Sequence, residues 1–230
     1  MKRLALHAAI VAAALLIATP ALAQWKYRFE VFGAGSMPQD KDFEITVPQT
    51  PTPINGTHEW SMGARGGVRF GADMGHWGQD LTYSYGSNAT KIVTPGGDFA
   101  FTNRVQQLCV NALWYPGGVG ADRKAMPYLT AGVGGTFFTV PQSAVNQAMD
   151  PAIAGFGKLR NENIFAFNAG GGVSVRVNRV WGVRIDVRDN MTRAVRYGLP
   201  ESSTDPNATV FPVTGIFHQL ELSIAFVYYF

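Results

Sequence analysis

Apolar and polar residues alternate along this chain in eight separate stretches. A period of two is the mark of a β-strand with one face turned to an apolar medium. The last stretch, residues 219–230, is the plainest: Leu220, Leu222, Ile224, Phe226, Tyr228 and Phe230 share one face, opposite Gln219, Glu221, Ser223, Ala225, Val227 and Tyr229. The first, 25–32, sets Trp25, Tyr27, Phe29 and Val31 against Lys26, Arg28 and Glu30. The second, 59–70, sets Trp60, Met62, Ala64, Val68 and Phe70 against Ser61, Arg65 and Arg69. Residues 79–87 set Leu81, Tyr83 and Tyr85 against Asp80, Thr82 and Ser84. The fourth, 103–116, has Leu108, Val110, Ala112 and Trp114 opposite Gln107, Cys109 and Asn111, with Leu113 and Tyr115 out of place on the polar face. Residues 127–138 set Leu129, Ala131, Val133 and Phe137 against Thr130, Gly132, Gly134 and Thr136. Residues 164–178 set Phe165, Phe167, Ala169, Val173, Val175 and Val177 against Asn168, Gly170, Gly172, Ser174 and Arg176. The seventh, 181–190, sets Trp181, Val183, Ile185 and Val187 against Arg184, Asp186, Arg188 and Asn190.

The connections, at 33–58, 71–78, 89–101, 117–126, 141–163, 179–180 and 191–216, alternate between long and short. Consecutive antiparallel strands would gather the short turns at one end and the long loops at the other. The even strand number puts both chain ends with the short turns. The proline-rich 47–56 is expected to lack regular structure.

Alternation does not say which face is inside. In a soluble barrel the apolar residues point inward; in a membrane barrel they point outward to lipid. Three features of the pattern favour outward. The polar face is rich in glycine, which suits a narrow, crowded interior. Aromatics gather at the strand ends, with Trp25, Phe70, Trp114, Trp181, Tyr228 and Phe230 at the short-turn end and Trp60, Tyr85, Phe137 and Phe165 at the other; two such belts mark the two water boundaries. Most strands reach the length of about 9–11 residues that a tilted strand needs to cross a membrane. Hydrocarbon cannot satisfy a free sheet edge, so the first and last strands must pair and close the barrel.

The start of the chain agrees. Lys2 and Arg3, the apolar run 4–17, Pro20 and the Ala21-Leu22-Ala23 site have the form of a cleavable signal peptide over 1–23, leaving 24–230 as one domain. The signal takes two of the 19 basic residues and none of the 16 acids, so the remainder carries 17 against 16, a formal net of +1. That balance gives no footprint for nucleic acid. Cys109 is the single cysteine, which excludes an internal disulfide and reads as a small interior filler. No stretch after the signal is apolar enough over about 18 residues to cross a membrane as a helix.

If the polar face is inside, the lumen holds Lys26, Arg28, Glu30, Arg65, Arg69, Asp80, Arg176, Arg184, Asp186, Arg188 and Glu221, seven positive and four negative groups. The main reading is a structural plug of paired charges, because an eight-stranded interior is just wide enough for side chains to fill it. The second is a narrow path for small anions lined by the positive excess. Glu221 is expected to meet Arg188 or Arg28 on the neighbouring strands. His58, His76 and His218 lack metal-ligand spacing, and no cofactor site is legible.

The Ala21-Leu22-Ala23 site, the eight strands and the ending FVYYF resemble small bacterial outer-membrane β-barrels of the OmpA-domain and OmpX type, with further likeness in PYLTAGVGG and FNAGGGVSVRV. The resemblance implies an all-β, eight-stranded antiparallel up-and-down transmembrane barrel in the outer membrane of a Gram-negative cell, with both mature ends in the periplasm; the peptidoglycan-binding domain of full-length OmpA relatives is not expected after Phe230. It also implies that Leu222, Ile224, Phe226, Tyr228 and Phe230 form the signature read by the barrel-insertion machinery. The implied partners are outer-membrane lipid, that machinery, and an extracellular ligand or surface met by the long loops. The family has no shared catalytic activity, so no catalytic residue follows from it. A lipid-acting enzyme is a distant third reading: lipid A deacylase barrels place His and Ser two apart on one strand face, whereas Leu220 lies two residues after His218.

Overall fold

A computed structural model describes residues 26–45, 54–94, 97–120, 123–150, 157–205 and 209–230. The signal segment, Trp25 and most of the proline-rich loop lie outside them. Ten strands form one sheet: β1 (Lys26–Pro38), β2 (Lys41–Ile45), β3 (Ile54–Trp60), β4 (Gly63–Met74), β5 (Trp77–Thr94), β6 (Gly97–Trp114), β7 (Ala125–Thr139), β8 (Glu162–Arg176), β9 (Trp181–Arg193) and β10 (Ile216–Tyr229), with helix α1 (Gln142–Met149) between β7 and β8. Eight of them, β1 and β4 to β10, pair antiparallel in chain order, and β1 pairs with β10 from Arg28↔Tyr229 to Pro38↔Gln219. The barrel is therefore closed, and no strand in the ring is left with a free edge. The other two strands form a hairpin, β2–β3, that continues the sheet outward by pairing with the far end of β5.

The faces are inverted relative to a soluble barrel. Phe29, Val31, Phe70, Leu81, Leu108, Leu129, Phe167, Ile185, Leu222 and Phe226 are all exposed, while Arg28, Glu30, Arg69, Arg184 and Asp186 are buried. An exposed apolar surface running around a whole molecule is far beyond what a water-soluble monomer carries, and it matches hydrocarbon. Where β4, β1, β10 and β9 meet near the chain ends, Tyr27 stacks with Phe70 at 6.2 Å and with Phe230 at 6.1 Å, and Trp181 lies 4.6 Å from Phe226. This aromatic belt covers the β1–β10 seam at the water boundary.

The strands run further than the alternation predicts at the long-loop end. β1 continues to Pro38, and residues 89–94 and 97–101 of the expected loop instead extend β5 and β6, each of 18 residues. Ile54–Gly56, expected to be irregular, belongs to β3. At the opposite end the connections are short: 75–76, with Gly75 in the left-handed region at φ 59°, then 115–124 and 177–180.

One side chain expected outside is inside. Trp60 is buried, because Ser61 and Met62 interrupt the sheet between β3 and β4 and shift the alternation by one residue. It belongs to a second core at the long-loop end, with Phe43, Ile92, Phe99, Phe101, Phe138, Val145, Leu159, Tyr197, Phe211 and Phe217. α1 lays Ala144, Val145 and Ala148 onto this core, the spacing of one helical face.

Candidate functional site

The candidate site is the barrel interior, which is filled in four levels. At the short-turn end Leu113, Tyr115, Met126 and Tyr128 form a small apolar cluster, which explains why Leu113 and Tyr115 interrupt the polar face of their strand. Above it lies a network of buried ions. Higher still come neutral polar side chains, and the long-loop end is closed by the apolar core around Trp60.

The ionic level joins five arginines, Arg28, Arg65, Arg69, Arg184 and Arg188, to five carboxylates, Glu30, Asp73, Asp80, Asp186 and Glu221, all buried. Glu30 stands at its centre. It accepts from Arg28 Nε at 2.7 Å, meets Arg184 Nη1 at 2.7 Å and lies 3.5 Å from Arg69 Nη1. Arg28 also reaches Asp73 at the end of β4 and Asp80 on β5, the latter at 3.5 Å. Asp186 receives Arg69 Nη1 and Arg188 Nε, each at 2.8 Å. Arg184 donates to the Tyr115 hydroxyl at 2.9 Å, tying the network to the cluster below. Desolvated ions are tolerable only when each has a partner and its remaining donors and acceptors are occupied. Interlocking gives each arginine at least one carboxylate within 4 Å, while the Nε atoms of Arg65, Arg69 and Arg184 are left without a hydrogen-bond partner among the described residues.

The wall makes room for these side chains. The charges stand on β1, β4, β5, β9 and β10, while the facing β7 and β8 present Gly132, Gly134, Gly170 and Gly172 inward. A Cβ at Gly172 would lie 2.6 Å from the Cβ of Asp186. Gly67 faces the ring of Phe32, where a Cβ would come within 2.7 Å, and Arg69 lies over the other part of that arrangement, 4.1 Å from the ring centre.

Several expected members of the network are placed otherwise. Lys26 is exposed at the end of β1 and makes no part of it. Arg176 is half-buried at the same rim, stacked 4.3 Å from the Tyr229 ring and donating to the Gly120 carbonyl at 3.4 Å. Glu221 does not meet Arg28 or Arg188; its carboxylate lies 3.6 Å from Arg65 Nη1. Arg188 sits opposite Glu221 in register but turns to Asp186 and Asp80. Asp73 went unforeseen because its position reads as part of a turn; an acid at the inner end of a strand whose face already carries Arg65 and Arg69 was the available signal. With Lys26 and Arg176 at the rim and Asp73 inside, the positive excess disappears.

The neutral level bonds across the lumen. Asn111 Nδ2 donates to Asp80 Oδ1 at 2.5 Å, Asn168 Nδ2 to Asn111 Oδ1 at 2.8 Å and Gln107 Nε2 to Asn190 Oδ1 at 3.0 Å. Arg65 donates to Gln219, which in turn donates to Ser36 Oγ at 2.7 Å. Cys109 is buried at this height. Above it Asn103 donates to the Tyr197 hydroxyl at 2.6 Å. Tyr197 takes the rare φ of 53°, held by Glu162 Oε2, which accepts from its backbone N–H at 2.7 Å. Burial raises the Tyr197 phenol and lowers the imidazole of His58, which pairs with Thr90 Oγ1, to about 3.

No protein-family model matches the sequence, and a comparison with curated proteins finds no match. Among solved structures, the outer membrane protein OprG from Pseudomonas aeruginosa superposes with a TM-score of 0.60 at 16% identity, covering 89% of this chain and 95% of that one. The fold is that of a small outer-membrane β-barrel. Neisserial surface protein A aligns over 90% of this chain and 97% of its own, at 12% identity and a TM-score of 0.49. Among the described residues of this barrel, no group of three or more His, Cys, Asp or Glu is placed to hold a metal ion. His218 and Asp189, 2.7 Å apart, pair on the outer wall near the long-loop end.

Proposed function

We propose that the chain is an integral protein of the bacterial outer membrane whose barrel is a closed scaffold, with both mature ends in the periplasm and the long-loop end displayed outside. Its role is structural or adhesive: the β2–β3 hairpin, the α1 segment and residues 194–205 and 209–215 form the surface that meets extracellular partners. The observation that carries this reading is the interior, in which five arginines interlock with five carboxylates between two apolar cores. A pore needs a continuous hydrated path, and here polar groups bond to each other across the lumen. The anion path lost its basis when the positive excess vanished. The row Leu222, Ile224, Phe226, Tyr228 and Phe230, exposed along β10 and at the residue after it, is the feature for the insertion machinery to recognise.

An esterase would need a hydroxyl or thiol within reach of the His218 imidazole. Leu220 occupies the place two residues on, and Cys109 is inside the barrel.

Planar-bilayer recording of the refolded monomer tests the scaffold reading. No stable conductance step is expected, alongside a gel mobility that changes on heating. A reproducible single-channel step from the monomer overturns it in favour of the channel.

A further inference from the structure

The outer wall bears an apolar groove of about 990 Å³ over β6, β7, β8 and β9, with Ile216 of β10 on its far side. Ala131 and Ala169 contribute short side chains to it, and Phe165, Phe167 and Ile216 stand out from the wall around them. Residues 131 and 169 lie midway along their strands, whereas Asn163 and Arg193, also in the lining, lie at the long-loop end. The groove thus extends from the apolar band to the water boundary and has a cation at that boundary. The Arg193 side chain is half exposed, 52%, and among the described residues its one polar contact is Nη2 to Glu162 Oε1 at 2.7 Å. Asp189, the acid nearest along β9 on the outer face, is already paired with His218.

Inside a bilayer an acyl chain gains nothing by leaving other chains for an apolar wall, so a groove alone confers no affinity. Close packing in a shaped recess can confer it, and so can a charge at the height of the headgroups. A guanidinium there selects a phosphate, to which it offers parallel N–H donors. We propose that the groove binds an acyl chain of a phosphorylated outer-leaflet glycolipid while Arg193 holds its phosphate. The inference rests on the outer-membrane reading, which places the long-loop end in the outer leaflet. The volume lies at the upper end of the range of about 300–1,000 Å³ for small-molecule sites, enough for part of a multiply acylated lipid.

Native mass spectrometry of the barrel refolded in detergent tests it, with bisphosphorylated hexa-acyl lipid A, its dephosphorylated form and phosphatidylglycerol as probes. The wild type should retain lipid A in preference to both others. Arg193→Gln should lower retention of lipid A about tenfold, to the level of the dephosphorylated form, and Arg193→Lys by less. Ala169→Trp, which fills the groove, should also cost about tenfold with Arg193 in place. Heat-modifiable mobility checks that each variant is folded. Equal retention of lipid A and phosphatidylglycerol by the wild type, or unchanged retention by folded Arg193→Gln and Ala169→Trp, overturns the proposal while leaving the membrane barrel intact. A chain that is monomeric and water-soluble without detergent overturns the membrane reading itself.

Discussion

The interior of this barrel has two regions built on the same strands with opposite chemistry. In the half near the chain ends the inward row of β9 reads Arg184, Asp186, Arg188, Asn190; at the other end the inward row of β6 reads Phe99, Phe101, Asn103, Val105. The outward rows change in the opposite sense. β5 shows Leu81, Tyr83 and Tyr85 to the outside, then Ser87, Ala89 and Lys91. The medium outside explains both. Where hydrocarbon bathes the wall, apolar side chains belong outside and the polar ones have only the lumen. Once a strand rises into water, the ordinary rule returns and the apolar residues turn in. A single strand such as β5 crosses this boundary without changing its period, only the meaning of its two faces.

The largest test of the contrast is removal of Glu30, which meets Arg28, Arg69 and Arg184. Glu30→Ala leaves three buried arginines short of a partner and should cost about 3–5 kcal/mol in urea unfolding from lipid vesicles. A loss under 1 kcal/mol would mean that water reaches the network. Next comes the outer face: Ile185→Arg, in the apolar band, should cost about 2–4 kcal/mol, whereas Ala89→Arg, above it on an equally outward position, should fall within about 0.5 kcal/mol of wild type. Equal costs at the two positions would mean that hydrocarbon does not end between them. Within the apolar cap, Ile92→Val should cost about 0.5–1.5 kcal/mol and should speed hydrogen exchange at the β5–β6 tip while leaving the ionic level protected.

The smallest effect concerns acid. His58 is held neutral in the cap, with a folded value of about 3 against an ordinary value near 6.5. The unfolded chain takes up the proton first, so cap stability is full above pH 6.5 and declines as pH falls from there toward 3. Exchange at the tip should quicken over that range in the wild type and less so in His58→Phe. A wild-type profile flat from pH 7 to 4 would show the imidazole to be open to water.

The boundary between the two regions also explains what the sequence showed and what it hid. The eight membrane-crossing stretches stood out because each alternates in the membrane sense. Residues 89–101 read as a loop because there the alternation is reversed, with Ile92, Phe99 and Phe101 inside, and no apolar outer row marks the strand. Trp60 was misplaced for a related reason: an interruption at Ser61 and Met62 is invisible to a count of alternate positions, yet it moves every residue before it to the other face. Among the charges, the inward side of Arg28, Glu30, Arg69, Arg184, Asp186 and Arg188 was legible. The rim positions of Lys26 and Arg176 were not, because alternation fixes a face and not a height.

The chain by itself determined the eight membrane-crossing strands, the face each turns to lipid, and the closure of the ring: the first from period two, the second from the glycines of one face and the aromatic belts of the other, the third from the impossibility of a free edge in hydrocarbon. Which polar groups pair was decided only in three dimensions. Arg69 and Asp186 are 117 residues apart, and Arg65 and Gln219 are 154. They meet because the tilt and stagger of eight closed strands bring them to one height across a lumen narrow enough for a single side chain to span, a distance that no local pattern encodes.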